Sequence, residues 1–105
     1  MFSRLSSFAV VLLAAGAAVA APLIINTPVD VVSGQPVLIT WSGGAAPFTV
    51  KVNEFGPPPV VVATFGPLDS TSVVWNVDVP AGTVVDFSVQ DKHNALAQSG
   101  STTVQ

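Results

Sequence analysis

The sequence contains no cysteine, a single histidine and only three cationic residues among 105. Without cysteine the chain can form no disulfide and has no thiolate to act as a nucleophile or metal ligand. One histidine cannot provide the usual ligand set of a zinc site. No segment shows a sustained helical period. The hydrophobic core must therefore stabilise the fold without covalent or metal cross-links.

The first 20 residues have the pattern of a secretory signal peptide. Arg4 provides the positive charge, residues 8–17 provide the apolar stretch, and Ala18-Val19-Ala20 forms a small-residue cleavage site. An uncleaved membrane anchor is the alternative, but the apolar run is shorter than the roughly 20 residues that span a bilayer. We predict cleavage before Ala21 and a secreted protein, located outside the cell or in the cell wall.

Few positive charges remain after that cleavage. Loss of Arg4 leaves two lysines, Lys51 and Lys92, against six carboxylates, so the predicted mature chain carries a net charge of about −4. No basic patch is present to neutralise phosphates, which argues against nucleic acid as a partner. Anionic membrane surfaces are disfavoured for the same reason.

Residues 21–105 are enough for one domain. Apolar and polar residues alternate over short runs, and Gly, Pro, Asn or Asp separate these runs at intervals typical of all-β domains. We predict seven strands, near residues 23–27 with a continuation at 29–32, and at 36–41, 48–53, 60–65, 70–77, 83–90 and 97–104. This pattern favours a seven-stranded antiparallel β-sandwich of the immunoglobulin or fibronectin type III kind, without a disulfide.

The two tryptophans are the largest apolar side chains available to such a core. Alternation places Trp41 on the same strand face as Ile39, and Trp75 shares its face with valines. We interpret both as core residues that take the place of a cross-sheet disulfide. In the alternative interpretation one ring is exposed to a sugar, and Gly43 and Gly44 open space for that ligand.

The segment Phe55-Gly56-Pro57-Pro58-Pro59 is predicted to be extended. Prolines have no N–H group and cannot donate ladder hydrogen bonds, so this segment should lie at the edge of a sheet. There it would limit edge-to-edge pairing through the apolar run at residues 60–62.

The chain also resembles a known protein family. The motif ITWSGG, preceded by INTPVDVVSGQP and followed by VVWNVDVPAGTVVDFSVQD and AQSGSTTV, resembles the N-terminal immunoglobulin-like domain of the fungal Ser/Thr-rich, GPI-anchored cell-wall family. That domain is shared with yeast proteins of β-1,6-glucan and cell-wall assembly. The resemblance covers residues 23–104 and implies a fungal protein that acts at the wall or outside the cell. The family's Ser/Thr-rich stalk and hydrophobic tail are absent from this sequence, so we expect a released domain without a GPI anchor.

Residues with catalytic potential are few. His93, the sole histidine, falls in a predicted hairpin turn and is interpreted as an exposed turn residue. Asp78 and Asp86 flank a turn as a paired-carboxylate candidate but occupy outward-facing positions, where solvated charge is the preferred interpretation. Asp30 and Asp91 lie in or beside loops without the ligand spacing of a calcium site. We therefore predict no enzyme activity, no cofactor and no metal.

Three functions remain open at this stage. The first is a non-catalytic structural or assembly module of the fungal cell wall. The second is a carbohydrate-binding module for wall glucan or chitin, and the third is a secreted protein-interaction module or effector. The partner would accordingly be a cell-wall polysaccharide or another extracellular protein. Aromatic residues that could contact a glycan or partner are Trp41, Trp75, Phe55 and Phe65.

Overall fold

A computed structural model describes residues 21–105. The predicted signal peptide, residues 1–20, lies outside the described residues. Within residues 21–105 we find no helix with the length and apolar character needed to cross a membrane.

The described chain is built from antiparallel β-strands, as the alternating pattern predicts. Eight strands follow one another in the order β1 (Ile24–Ile25), β2 (Pro36–Ser42), β3 (Phe48–Glu54), β4 (Val60–Leu68), β5 (Ser72–Asn76), β6 (Val84–Gln90), β7 (Leu96–Gln98) and β8 (Thr102–Thr103). Strands β1, β2 and β5 form one sheet, in the order β1-β2-β5. The second sheet has the order β4-β3-β6-β7, and β8 also pairs with β6. The two sheets form an immunoglobulin-like β-sandwich.

Two of the predicted strands differ from the observed ones. The first is only Ile24–Ile25, and the predicted continuation at residues 29–32 is not a strand. Asp30 adopts φ 55°, a left-handed conformation that interrupts an extended chain. The predicted last strand, residues 97–104, is divided into β7 and β8. These differences change the strand count from seven to eight and leave the fold class unchanged.

The division of the last strand has a local cause at Ser99. Its backbone N–H donates to the Phe87 carbonyl (2.8 Å), and its hydroxyl accepts the Phe87 N–H (3.0 Å). The next residue, Gly100, turns away and donates its N–H to the Thr27 hydroxyl (2.9 Å). Pairing with β6 resumes at Thr102 with one extra residue on this side, which is the geometry of a β-bulge.

The core lies between the two sheets and follows the predicted alternation. Inward positions of β2, β3, β5 and β6 are all apolar, and all of these side chains except the partly buried Val37 and Val73 are nearly inaccessible to solvent. The buried strand residues are Ile25, Ile39, Trp41, Phe48, Val50, Val52, Trp75, Val85, Phe87 and Val89, with Val31, Val77 and Val104 contributed by loops and the C-terminal segment. Burial of these side chains supplies the main stabilising free energy of the cysteine-free domain.

Each tryptophan packs against a phenylalanine of the opposite sheet. The ring centroids of Trp41 and Phe48 are 5.7 Å apart, and those of Trp75 and Phe87 are 5.8 Å apart, both in edge-to-face geometry. Such pairs stabilise a core beyond the area they bury. The predicted core role of the two tryptophans is thus confirmed.

The proline-rich segment leads into an edge strand, as predicted. Strand β4 pairs only with β3 on the path of its sheet, and Val60 and Val61 are each 51% exposed. The register between β3 and β4 shifts between Val52 and Asn53, next to this segment. A bulge and prolines at an edge discourage further strand pairing.

Asp91 joins the loop after β2 to the turn after β6. Its carboxylate accepts backbone N–H groups from Ala45 (3.1 Å), His93 (2.9 Å) and Ala95 (2.9 Å). Desolvation of the carboxylate raises its pKa, but these hydrogen bonds from Ala95, Ala45 and His93, together with the charge of His93, outweigh it. The pKa of Asp91 therefore lies below its ordinary value of 3.8.

We expect the Asp91→Asn variant to be less stable than the wild type at pH 7. Because the folded-state pKa is lowered, ionised Asp91 stabilises the fold above the unfolded pKa, and this contribution disappears as the pH falls through the folded pKa. The difference in free energy of unfolding between wild type and variant should therefore shrink below about pH 4. Urea unfolding from pH 7 to pH 3 measures it, with Asp78→Asn at an exposed carboxylate as the control. A difference that stays constant over this range would contradict the assigned role.

Candidate binding groove

The outer face of the five-stranded sheet carries polar side chains on its two central strands. On β3 the outward positions are Thr49, Lys51 and Asn53, which alternate with the buried Phe48, Val50 and Val52. On β6 they are Asp86, Ser88 and Gln90, in the same alternation. These strands therefore show one apolar and one polar face, as expected for an antiparallel sheet with a single solvated side.

The strand register aligns these polar residues in rows across the sheet. Lys51 on β3 is opposite Ser88 on β6, and Ser88 is opposite Gln98 on β7. Asn53 is opposite Asp86 in the neighbouring row. Directly opposed side chains of an antiparallel sheet lie about 5 Å apart, so each row forms a continuous polar strip.

A third row ends on an apolar side chain. Thr49 on β3 is opposite Gln90, and Gln90 is opposite Leu96 on β7. The three rows together form the floor of the groove described next.

These rows line a groove of about 530 Å³. This volume falls within the range of small-molecule sites, roughly 300–1,000 Å³. The floor is formed by Thr49, Lys51, Asn53, Asp86, Ser88, Gln90 and Gln98, and the rim by Phe55, Gly56, Pro59 and Leu96. We call this site the sheet groove.

Hydrogen bonds within the floor hold several of these side chains in place. The amide of Asn53 donates to the Asp86 carboxylate (3.0 Å) and, more weakly, to the Ser88 hydroxyl (3.5 Å). At the other end, the Gln90 amide donates to the Asn94 side-chain oxygen (3.4 Å). Ser88 is 7% exposed, so its hydroxyl lies at the bottom of the groove. The centre of the floor is therefore already organised without a ligand.

The groove has exposed apolar side chains at its two ends. Phe55 is 68% exposed and Leu96 is 62% exposed. The Phe55 backbone N–H donates to the Val84 carbonyl (2.8 Å), which places Phe55 at the start of β6, whereas Leu96 pairs with Gln90 at its end. Exposed apolar residues beside convergent polar groups are common features of binding sites.

The four aromatic residues named in the sequence analysis occupy different environments. Trp41 and Trp75 are 3% and 2% exposed, so neither ring has a face free for a ligand. The prediction that they could contact a glycan or partner is therefore corrected. Both rings are buried because their positions on β2 and β5 face inward. Phe65 is half-buried against the core and lies outside the groove. Of the four, Phe55 alone lines the sheet groove.

The groove floor was not predicted from the sequence. Its signal was the run of outward polar residues on β3 and β6, since Thr49, Lys51 and Asn53 repeat at every second position and so do Asp86, Ser88 and Gln90. Each run alone indicates only a solvated strand face. The groove becomes apparent when the register places both runs side by side.

Asp86 belongs to the groove, whereas Asp78 is an exposed loop residue. The carboxylate of Asp91, considered above as a calcium ligand, instead accepts hydrogen bonds from three backbone N–H groups. Among residues 21–105, no three His, Cys, Asp or Glu side chains lie close enough to hold a metal ion.

Comparison with known proteins identifies a shared fold. No family model and no curated protein matches the sequence. Among solved structures, the chain is similar to a superoxide reductase (neelaredoxin) from Ignicoccus hospitalis, with 16% identity over 82% of this chain and 80% of that chain and a TM-score of 0.50. A variant of the same enzyme gives 19% identity over 89% of this chain and 86% of that chain, with a TM-score of 0.48. At such identity the likeness shows the fold alone.

The comparison corrects the functional expectation from the sequence. We expected a non-catalytic fungal cell-wall module, with a glucan- or chitin-binding module and a secreted interaction module as alternatives. That expectation is contradicted, because the solved structure to which the chain is similar is that of an enzyme named superoxide reductase.

Proposed function

We propose that the domain binds an uncharged, polar ligand in the sheet groove. The observation that supports this proposal is the groove itself: about 530 Å³ with a polar floor across β3, β6 and β7 and apolar residues at both ends. Concave sites with a few convergent polar groups and apolar walls are the usual form of ligand sites.

The charges of the domain favour a ligand without net charge. Residues 21–105 contain two lysines against six carboxylates, which gives a net charge of about −4. The resulting negative potential opposes the approach of an anion. A cation would meet Lys51 at the centre of the floor. Asp86, the one carboxylate of the floor, already accepts a hydrogen bond from Asn53. Neutral hydrogen-bonding groups therefore match this floor better than a charge of either sign.

The hydrogen-bonding groups of the floor suit a ligand with both donors and acceptors. Gln90 and Gln98 carry side-chain amides and Thr49 and Ser88 carry hydroxyls, each of which can donate and accept, and Asn53 offers its side-chain oxygen as an acceptor. Because the hydrogen bond to Asp86 already fixes the Asn53 side chain, less conformational entropy is lost there when the ligand binds.

The test is two-dimensional NMR of the ¹⁵N-labelled protein with three series of neutral probes: capped peptides, glucose oligomers and small polyols. We expect at least one series to shift the backbone signals of Lys51, Ser88 and Gln98 at millimolar concentration or below. Absence of shifts in this region with every series would overturn the proposal.

Gln98→Ala is expected to weaken binding of whichever probe is active by about three- to tenfold, because an amide contributes a hydrogen bond to the ligand. The matched control is Asn76→Ala, which removes an exposed amide from β5 on the other sheet. Titration followed by NMR gives both dissociation constants. Equal affinity of the two variants would place the ligand elsewhere.

A further inference from the structure

We infer that the ligand of the sheet groove is an extended peptide segment of about seven residues, uncharged, with an apolar side chain at each end. This inference rests on the proposed function and specifies its ligand. It follows from three features of the groove: the distance between its apolar ends, the amide side chains between them, and the kind of aromatic residue it exposes.

The first feature is the distance between the two apolar ends. Phe55 is tied by its N–H to Val84 at the start of β6, and Leu96 pairs with Gln90 at the end of the same strand. Val84 and Gln90 are six steps apart along β6, which corresponds to about 20 Å at roughly 3.3 Å per residue. An extended peptide of about seven residues spans the same distance and has its first and last side chains on the same face. Its terminal side chains would then lie against Phe55 and Leu96.

The second feature is the chemistry of the floor between these ends. A peptide backbone offers one N–H donor and one C=O acceptor per residue. The side-chain amides of Gln90 and Gln98 have the same pair of groups and can bind a peptide unit at two points. Asn53, whose N–H groups are directed to Asp86 and Ser88, offers its side-chain oxygen as an acceptor. The Lys51–Ser88–Gln98 row adds donors between them. A neutral peptide also avoids the repulsion that an anionic peptide would meet in this acidic domain.

The third feature separates a peptide from a saccharide. A flat aromatic face is the natural platform for a sugar ring, and tryptophan and tyrosine combine such a face with a polar group. Both tryptophans of this chain are buried, and the sequence contains no tyrosine. Phe55 at one end is the single aromatic ring that lines the groove. An apolar peptide side chain can pack against Phe55, Pro59 or Leu96 without such a platform.

The experiment uses a capped heptapeptide with leucine at both ends and serine, asparagine and glycine between them. Binding is measured by ¹⁵N NMR titration of the purified protein. We expect shifts at Phe55 and Leu96 as well as at the floor residues. A matched peptide with aspartate at both ends should bind at least about tenfold more weakly, because it loses both apolar contacts and meets the negative field.

Two protein variants test the ends of the groove. Leu96→Ser and Phe55→Ser should each weaken binding of the leucine-ended peptide about tenfold, since each removes an apolar contact. Val74→Ser is the control, because Val74 is an exposed apolar residue (51%) on the opposite sheet. All three positions are exposed, and the dispersion of the NMR spectrum shows directly whether each variant is folded.

The outcomes distinguish this inference from the proposed function. If glucose oligomers or polyols shift the NMR signals of the groove residues and the peptide does not, the proposed function is supported and the inference of a peptide ligand is overturned. Equal binding of the leucine-ended and aspartate-ended peptides would also overturn it. If no probe shifts the NMR signals of the groove residues, both the proposed function and the peptide inference would be overturned.

Discussion

Replacing Trp75 with alanine is expected to lower the free energy of unfolding by about 3–5 kcal/mol. Trp75 is 2% exposed, and its ring contacts Phe87 of the opposite sheet in edge-to-face geometry. The substitution removes this contact and leaves a cavity in a core that has no disulfide to support it. Since small domains are stable by only about 5–15 kcal/mol, the variant should be close to unfolding at room temperature. Urea unfolding measures the change, with Trp41 as the remaining fluorescent probe.

Two further variants make the measurement specific. Val74→Ala changes the exposed neighbour on β5 and should alter stability by no more than about 0.5 kcal/mol. Trp75→Phe should cost less than alanine, because it keeps an aromatic ring and removes an indole N–H that finds no hydrogen-bond partner among the described residues. An alanine variant that unfolds at the same urea concentration as the wild type would show that Trp75 does not hold the sheets together.

Much of the sandwich could be predicted because its signals are local. Alternation along β3 and β6 distinguishes inward from outward residues without knowledge of the partner strand. The inward set Val50, Val52, Phe87 and Val89 is buried as that rule requires. The same rule correctly placed Trp41 and Trp75 in the core, because a residue's face depends on its own strand alone.

The strand boundaries could not be predicted as well, because they depend on distant partners. Val31 is buried at 1% exposure although its segment is not a strand, since its carbonyl accepts the N–H of Gln105 rather than joining a ladder. Ser99 divides the last strand through two hydrogen bonds to Phe87. An alternating pattern predicts burial in both places, but it contains no information about which backbone group will bind which.

The sheet groove was missed for a related reason. Its floor depends on the register that sets Lys51 beside Ser88 and Ser88 beside Gln98, and these residues come from three different strands. Strands β3 and β6 are separated by two other strands along the chain, so no hairpin turn defines their register. A one-residue shift in that register would move Ser88 to the core face. Sites that depend on pairing between distant strands therefore require the structure.

Replacing Gly43 with alanine is expected to destabilise the protein by at least about 2 kcal/mol, through two effects that add. Gly43 adopts φ +78°, a left-handed conformation that costs a residue with a Cβ roughly 1–2 kcal/mol. An added Cβ would also lie 2.1 Å from the Pro22 carbonyl oxygen. The segment at Ala21 and Pro22 would have to move, and with it the hydrogen bond from the Gly44 N–H to the Ala21 carbonyl (3.1 Å).

Gly34→Ala is the matched control for the close approach. Gly34 has nearly the same φ, +80°, but an added Cβ would have nothing within 4 Å. Its substitution should therefore show the conformational cost alone, and the difference between the two variants in urea unfolding gives the cost of displacing Pro22. If the free energy of unfolding falls by the same amount in both variants, Ala21 and Pro22 do not pack on the turn between β2 and β3. A larger loss at Gly43 would show that this contact, which joins residues far apart in the sequence, stabilises the native state.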